Sequence, residues 1–120
     1  MYNILICEDD ELTLQVLENF MKMKNYIPFT ARDGSEALKI IENQKIDLIV
    51  SDIHMNPMDG ITLLETLRKN DNRVPFVLIT AHPDIETFIH AIHDLGAFEY
   101  IHKPLDLNVL QSVIEQLLEK

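Results

Sequence analysis

The sequence predicts an open α/β fold: a doubly wound, five-stranded parallel sheet with helices on both faces, a three-layer α/β/α sandwich. Three observations carry this expectation. Five strand-like runs alternate with five helix-like stretches along the whole chain. The runs at 4–7, 48–50 and 76–79 are apolar throughout, as strands covered on both faces must be. Residues suited to starting and ending helices stand at the expected places between the runs.

In chain order, the first strand covers 3–7 and breaks into Glu8-Asp9-Asp10, where Asp10 suits the N-cap of a helix. Leu12, Val16, Leu17 and Phe20 then share one helical face. The second strand, 27–30, contains Pro28, which has no N–H for a sheet ladder and so belongs at an edge. Asp33 followed by Glu36 forms a capping box for the second helix, with Ala37, Leu38 and Ile41 facing inward. The third strand, 48–51, runs into Asp52, and Ile61, Leu64 and Leu67 mark the next helix. The fourth strand, 76–80, ends at Thr80; Pro83 suits the first turn of a fourth helix, which carries Phe88, Ala91, Ile92 and Leu95 and stops at Gly96, a C′ residue. The fifth strand, 98–101, leaves through His102-Lys103-Pro104. Asp106 can cap the last helix, on which Val109, Leu110, Val113, Ile114 and Leu117 share one face. Right-handed crossovers wind these units into the sandwich.

Composition narrows the function. With 120 residues, residues 1–120 make one domain with a sizeable core. No apolar stretch approaches the roughly 18 residues of a membrane span, and the start lacks the pattern of a secretory leader, so a cytoplasmic protein is expected. Cys7 is the only cysteine and sits inside an apolar run, which makes it a packing thiol. The formal net charge of −10, without any basic cluster, argues against direct contact with nucleic-acid phosphates.

In a sheet of this kind ligands bind beyond the carboxyl ends of the strands. There the sequence gathers Glu8, Asp9, Asp52, Thr80 and Lys103. Two carboxylates about 4 Å apart repel by roughly 4 kcal/mol at an effective dielectric near 20, so the group calls for a cation. A few hard oxygen ligands with positions left for water and phosphate suit Mg²⁺ better than Ca²⁺. An aspartate in such a place can attack a phosphoryl group and form an acyl phosphate. Lys103 would then balance charge on another phosphoryl oxygen, and the Thr80 hydroxyl would hydrogen-bond the product. Taken singly, each residue has an ordinary structural reading as a loop residue, cap or strand exit. His90 and His93, at helical spacing without an evident third ligand, read as solvated helix residues rather than a metal pair.

Residues 4–11 (Ile-Leu-Ile-Cys-Glu-Asp-Asp-Glu), 51–55 with Met58-Asp59-Gly60, 79–82 (Ile-Thr-Ala-His) and 96–104 (Gly-Ala-Phe-Glu-Tyr-Ile-His-Lys-Pro) together resemble the receiver domain of bacterial two-component response regulators. The stretch 96–104 is also similar to receivers of nitrogen-regulation-type transcription activators. The resemblance implies the flavodoxin-like strand order 2-1-3-4-5 established for that family. It implies Asp52 as the phosphoacceptor, Asp9 and Asp52 as Mg²⁺ ligands with the backbone carbonyl of His54, and Glu8 acting through water; Mn²⁺ is able to substitute. Lys103 pairs with the phosphoryl group next to a cis Lys103-Pro104 bond, and Thr80 and Tyr100 form a switch pair whose ring points outward in the inactive form.

The partners implied are a sensor histidine kinase, a downstream effector domain or protein on the face of the fourth helix, fifth strand and fifth helix, and a phosphorylation-dependent homodimer. Ile85 and Ile89 lie on that face. The domain is a phosphoacceptor rather than an enzyme, apart from weak self-phosphorylation from small donors and self-dephosphorylation. His54 and His82 occupy positions that tune phosphoryl lifetime in the family. One departure stands out: where the family commonly has proline four residues after the phosphoacceptor, this chain has Asn56, with Pro57 one later. The competing reading is a pseudo-receiver that binds its partner regardless of phosphate. A flavodoxin-like cofactor protein fits poorly, because Glu8-Asp9-Asp10 stands where a neutral phosphate loop is needed.

Overall fold

The computed structural model describes residues 1–119. Five strands, β1 (Asn3–Cys7), β2 (Ile27–Ala31), β3 (Leu48–Asp52), β4 (Phe76–Thr80) and β5 (Glu99–His102), form one sheet in the order 2-1-3-4-5, all pairs parallel. Pro28 lies on the edge strand β2, where its missing N–H breaks no second ladder. The helices are α1 (Glu11–Met23), α2 (Gly34–Asn43), α3 (Gly60–Lys69), α4 (Ile85–Ile89) and α5 (Leu107–Leu118), with a π-helical turn at His90–Asp94 directly after α4.

Side chains of alternate strand residues project to opposite faces and split the continuous apolar runs into two cores. Leu5, Cys7, Ile49, Phe76 and Leu78 point toward α2, α3 and the π turn, where Ala37, Leu63, Leu64, Leu67 and Ala91 meet them. Ile4, Ile6, Leu48, Val50, Val77 and Ile79 face α1 and α5 and pack on Leu14, Leu17, Met21, Leu110, Val113 and Ile114. Burial pushes the Cys7 thiol up to about 12, consistent with a packing role.

The caps follow the sequence in most places. Asp10 accepts from the Thr13 amide, Asp33 from those of Ser35 and Glu36, and Asp106 from those of Asn108 and Val109. Glu36 reaches back past the N-cap and accepts from Arg32 N–H, one residue before Asp33, at 3.0 Å, a variant of the expected box. Gly96 has a positive φ of 69°, a left-handed conformation that a side chain would disfavour.

Three expectations need correction. Pro83 is not in the first turn of α4: Asp84 is the N-cap, its carboxylate accepting the Thr87 amide at 2.9 Å, so the helix starts at Ile85. The fourth helix is not one α-helix through Leu95. Leu95 N–H bonds the His90 carbonyl at 3.0 Å, five residues back, and this wider turn shifts the register. Phe88, expected inside, is consequently exposed, as are Ile85 and Ile89. In α1 the buried positions are Leu14, Leu17 and Met21, whereas Leu12 and Val16 lie exposed on a neighbouring stripe.

Candidate functional site

The parallel register brings the strand ends together. Cys7 lies opposite Ser51, Asp52 opposite Ile79, and Thr80 opposite His102. Backbone bonds extend the ladder past the strands: Glu8 N–H to Ala31 at 3.0 Å, Ile53 N–H to Ile79 at 3.0 Å, and Lys103 N–H to Thr80 at 2.8 Å. Glu8, Asp52, Thr80 and Lys103 are thereby fixed at one mouth by main chain, before any side-chain contact is considered.

Within that mouth, Lys103 Nζ donates to Asp52 Oδ2 at 2.9 Å and to Glu8 Oε1 at 3.0 Å. Glu8 and Asp52 are buried, at 3% and 7% exposure, while Asp9 is exposed. The three residues each offer a carboxylate oxygen, and these oxygens lie within 4.8 Å of one another. One ammonium thus faces three acids, an imbalance that favours a further cation. Burial raises the Glu8 carboxyl above its ordinary value, against the pull of the Asp10 amide and of Lys103. For Lys103, burial acts downward, but the hydrogen bonds to Asp52 and Glu8 outweigh it and leave the ammonium above its ordinary value. Hard oxygen donors, few in number and partly open to water, fit Mg²⁺.

Around this centre, Thr80 is wholly buried and its hydroxyl oxygen accepts from His82 N–H at 3.0 Å. Asp52 Oδ1 accepts from His54 N–H at 3.3 Å, and the His54 and His82 rings meet edge to face with centroids 5.9 Å apart. Both the Asn56-Pro57 and Lys103-Pro104 peptides are cis. Tyr100 is half-buried, edge-on to Phe88 at 5.4 Å between centroids, with its hydroxyl covered and without a partner.

Several site features escaped sequence reasoning. Gly60 begins α3 against the back of the acidic strand end: a Cβ there would come within 2.3 Å of the Asp52 carbonyl oxygen. Its spacing after Asp52 was visible, but not this contact. Glu8 also accepts a direct bond from Lys103 at 3.0 Å, a partner across 95 residues that the sequence did not reveal. The exposed Leu12 and Val16 prove to line a groove of about 360 Å³ with Leu105 and Leu107, and Glu8 and Lys103 stand at its edge. His93 is exposed and His90 half-buried, and both rings contact carboxylates.

A parallel 2-1-3-4-5 sheet with an acid cluster and a lysine at its carboxyl edge defines a flavodoxin-like α/β domain with a polar, cation-seeking mouth. The response regulator receiver domain family matches residues 4–115, and the chain belongs to it. Phosphorylation is a general property of that family, whose members interact with histidine kinases and effector domains. The chain is similar to the transcriptional regulatory protein GlrR of Escherichia coli K12, with 31% identity over 98% of this chain but 26% of the relative. It is likewise similar to the regulatory protein AtoC of the same strain, at 32% identity over 97% of this chain and 25% of the relative. The chain thus spans about a quarter of the length of these curated relatives. Among solved structures, a two-component response regulator from Clostridium difficile superposes with a TM-score of 0.93 at 29% identity, covering 100% of this chain and 98% of that one. The non-phosphorylated HemR receiver domain of Leptospira biflexa gives 0.90 at 28% identity, covering 100% and 96%. No helix among the described residues is long and apolar enough to cross a membrane.

Proposed function

We propose that residues 1–120 are one receiver domain that accepts a phosphoryl group on Asp52 from a sensor histidine kinase. The observation that carries this reading is the Lys103 ammonium 2.9 Å from the Asp52 carboxylate, beside a second buried acid, at the carboxyl edge of the sheet. An Asp52 carboxylate oxygen attacks phosphorus, the bond from phosphorus to the donor's imidazole nitrogen breaks, and the nitrogen keeps the electron pair. The product is an acyl phosphate, later released as phosphate by water. Asp9, Asp52 and the backbone carbonyl of His54 would hold Mg²⁺, with Glu8 acting through water; the ion supplies charge neutralisation on the transferring group. Lys103 holds Asp52 in place and offers its charge to a phosphoryl oxygen.

Thr80 is the reporter. Its hydroxyl turns to the phosphoryl oxygen, and Tyr100, packed against Phe88, follows. The output surface is then α4, β5 and α5, where Ile85, Phe88 and Ile89 leave an exposed apolar patch. The groove bounded by Leu12, Val16, Leu105 and Leu107 opens beside Lys103 and suits the apolar surface of a docking phosphodonor. Because the relatives are transcriptional regulators several times longer than the domain, an effector domain controlling transcription is the proposed target, reached in the cytoplasm.

Incubation with acetyl phosphate and Mg²⁺ tests this directly. Wild type should gain one phosphoryl mass that hydroxylamine removes, and Asp52→Asn should gain none. Unmodified wild type would instead favour a pseudo-receiver that binds its partner regardless of phosphate.

A further inference from the structure

His90 stands at the first position of the π turn, and its ring touches two different elements. Nε2 lies 2.9 Å from Glu65 Oε2 on α3, and Nδ1 lies 3.0 Å from Asp94 Oδ2 four residues on. A neutral imidazole has one N–H and one lone pair, so it can satisfy only one of two carboxylates; the imidazolium satisfies both. We propose that His90 is a pH-operated tie, which as imidazolium holds the π turn to α3 through Asp94 and Glu65 and on losing its proton releases one of them, loosening helix four.

The neighbourhood supports this assignment. Asp94 first, then Glu65, raises the His90 value above its ordinary one, against a small opposing effect of burial. The contribution is therefore present below 6.5 and is lost as pH rises through the raised value. The other charged or titratable neighbours come from three elements. Glu86, one turn earlier in α4, lines a groove with His90, as do Asp59 and His54 from the segment between β3 and α3. His93, next to Asp94, takes that carboxylate's other oxygen at 3.0 Å and shares its charge.

What the tie would release is limited by a second tether, a guanidinium that does not titrate near neutrality. Arg68, one turn beyond Glu65, donates Nε to the Leu95 carbonyl at 2.7 Å and anchors the end of the turn. Upstream, α4 buries none of its residues and meets the sheet through the Phe88–Tyr100 contact. Deprotonation should therefore loosen residues 85–90, while Ala91, buried in the core, and residues 95–96 stay in place. That the freed segment carries output rests on the proposed function above; the tie itself does not.

NMR on the unphosphorylated chain, without phosphodonor, tests the tie from pH 5.5 to 8.5. In wild type the His90 ring is expected to titrate above 6.5, and amides of residues 85–90 should move with the same midpoint. Glu65→Gln and Asp94→Asn should each lower that midpoint by about 0.3 unit, a roughly two-fold loss of proton affinity. His90→Lys, which keeps a cation between the acids, should flatten the transition in the helix-four amides. Unchanged His90 midpoints in both acid variants, or helix-four amides that ignore the His90 titration, would overturn the proposal. Acetyl phosphate labelling of the same samples reads the phosphoacceptor assignment separately, so the two failures are distinguishable.

Discussion

Replacing Lys103 with methionine keeps the side-chain length and removes the only cation that contacts the acid cluster among the described residues. The ammonium lies 2.9 Å from Asp52. At that separation and an effective dielectric near 20, the gross attraction is about 6 kcal/mol. Most of that is offset by the cost of burying the charges. The Lys103 side chain also retains 25% exposure, which admits further screening. Removal is less forgiving than the net worth of the pair, because two buried carboxylates lose their partner. About 2–3 kcal/mol of destabilisation at pH 7 without divalent cation is therefore expected, below the roughly 3–5 kcal/mol of a fully buried pair. The pH dependence has a definite sign. Glu8 already sits above its ordinary value, so its contribution favours the folded state in acid and is lost as pH rises through the raised value. Without Lys103 that value climbs further. The gap between the variant and wild type should then shrink from pH 7 to pH 5, and Mg²⁺ should narrow it at pH 7. Urea unfolding followed by far-UV circular dichroism, at both pH values with EDTA or Mg²⁺, measures it. A gap that is the same at pH 5 and pH 7 would refute the electrostatic account of the cluster.

Three further outcomes follow from particular contacts. Gly60→Ala places a methyl 2.3 Å from the Asp52 carbonyl oxygen, so the Asp52 peptide must shift. That should cost about 1–3 kcal/mol in urea unfolding and weaken Mg²⁺ binding by calorimetry. Arg68→Met removes bonds to the carbonyls of Leu95, Asn72 and Val74 at 2.7, 2.9 and 3.0 Å. The chain should lose about 2 kcal/mol of stability, with faster hydrogen exchange at 95–97. Thr80→Ala should cost about 1 kcal/mol for the lost His82 amide bond. It should keep acetyl phosphate labelling of Asp52, yet lose the beryllofluoride-induced NMR shifts at Tyr100.

The sequence was most informative where a side chain's job follows from the backbone alone. Continuous apolar runs announced two-sided burial, Pro28 announced an edge, and polar residues at run ends announced a shared mouth. Those features depend on strand period and topology, and the sheet bears them out. Helix four defeated the same reasoning because its residues at 3.6-residue spacing are interrupted by a π turn, which no apolar pattern marks. Phe88 therefore moved outward although its spacing predicted burial. In α1, Leu12 and Val16 fit one apolar stripe and Leu14, Leu17 and Met21 another; only the sheet decides which stripe is covered. Site contacts across long sequence separations were legible as a set but not as partners. Lys103 reaches Glu8 as well as Asp52, and that second bond depends on how far β1 and β5 project past the ladder.

The position of Tyr100 bears on how little energy the proposed switch requires. Moving a population from 1:99 to 99:1 takes about 5.5 kcal/mol, more than the roughly 1.5–3 kcal/mol that one charged hydrogen bond from Thr80 supplies. The Tyr100 ring packs edge-on against Phe88, with centroids 5.4 Å apart. Its hydroxyl is covered and unpartnered. Such a group costs about 1–3 kcal/mol, while the edge-on aromatic pair returns about 0.5–1.5 kcal/mol and ring burial adds more. These terms are of similar size, so on the proposed function inward and outward rings would differ by little. A single hydrogen bond is then enough to bias such an equilibrium about tenfold, at roughly 1.4 kcal/mol per decade. On the proposed function, Thr80 would therefore only have to bias an equilibrium that the packing of Tyr100 and Phe88 leaves nearly balanced.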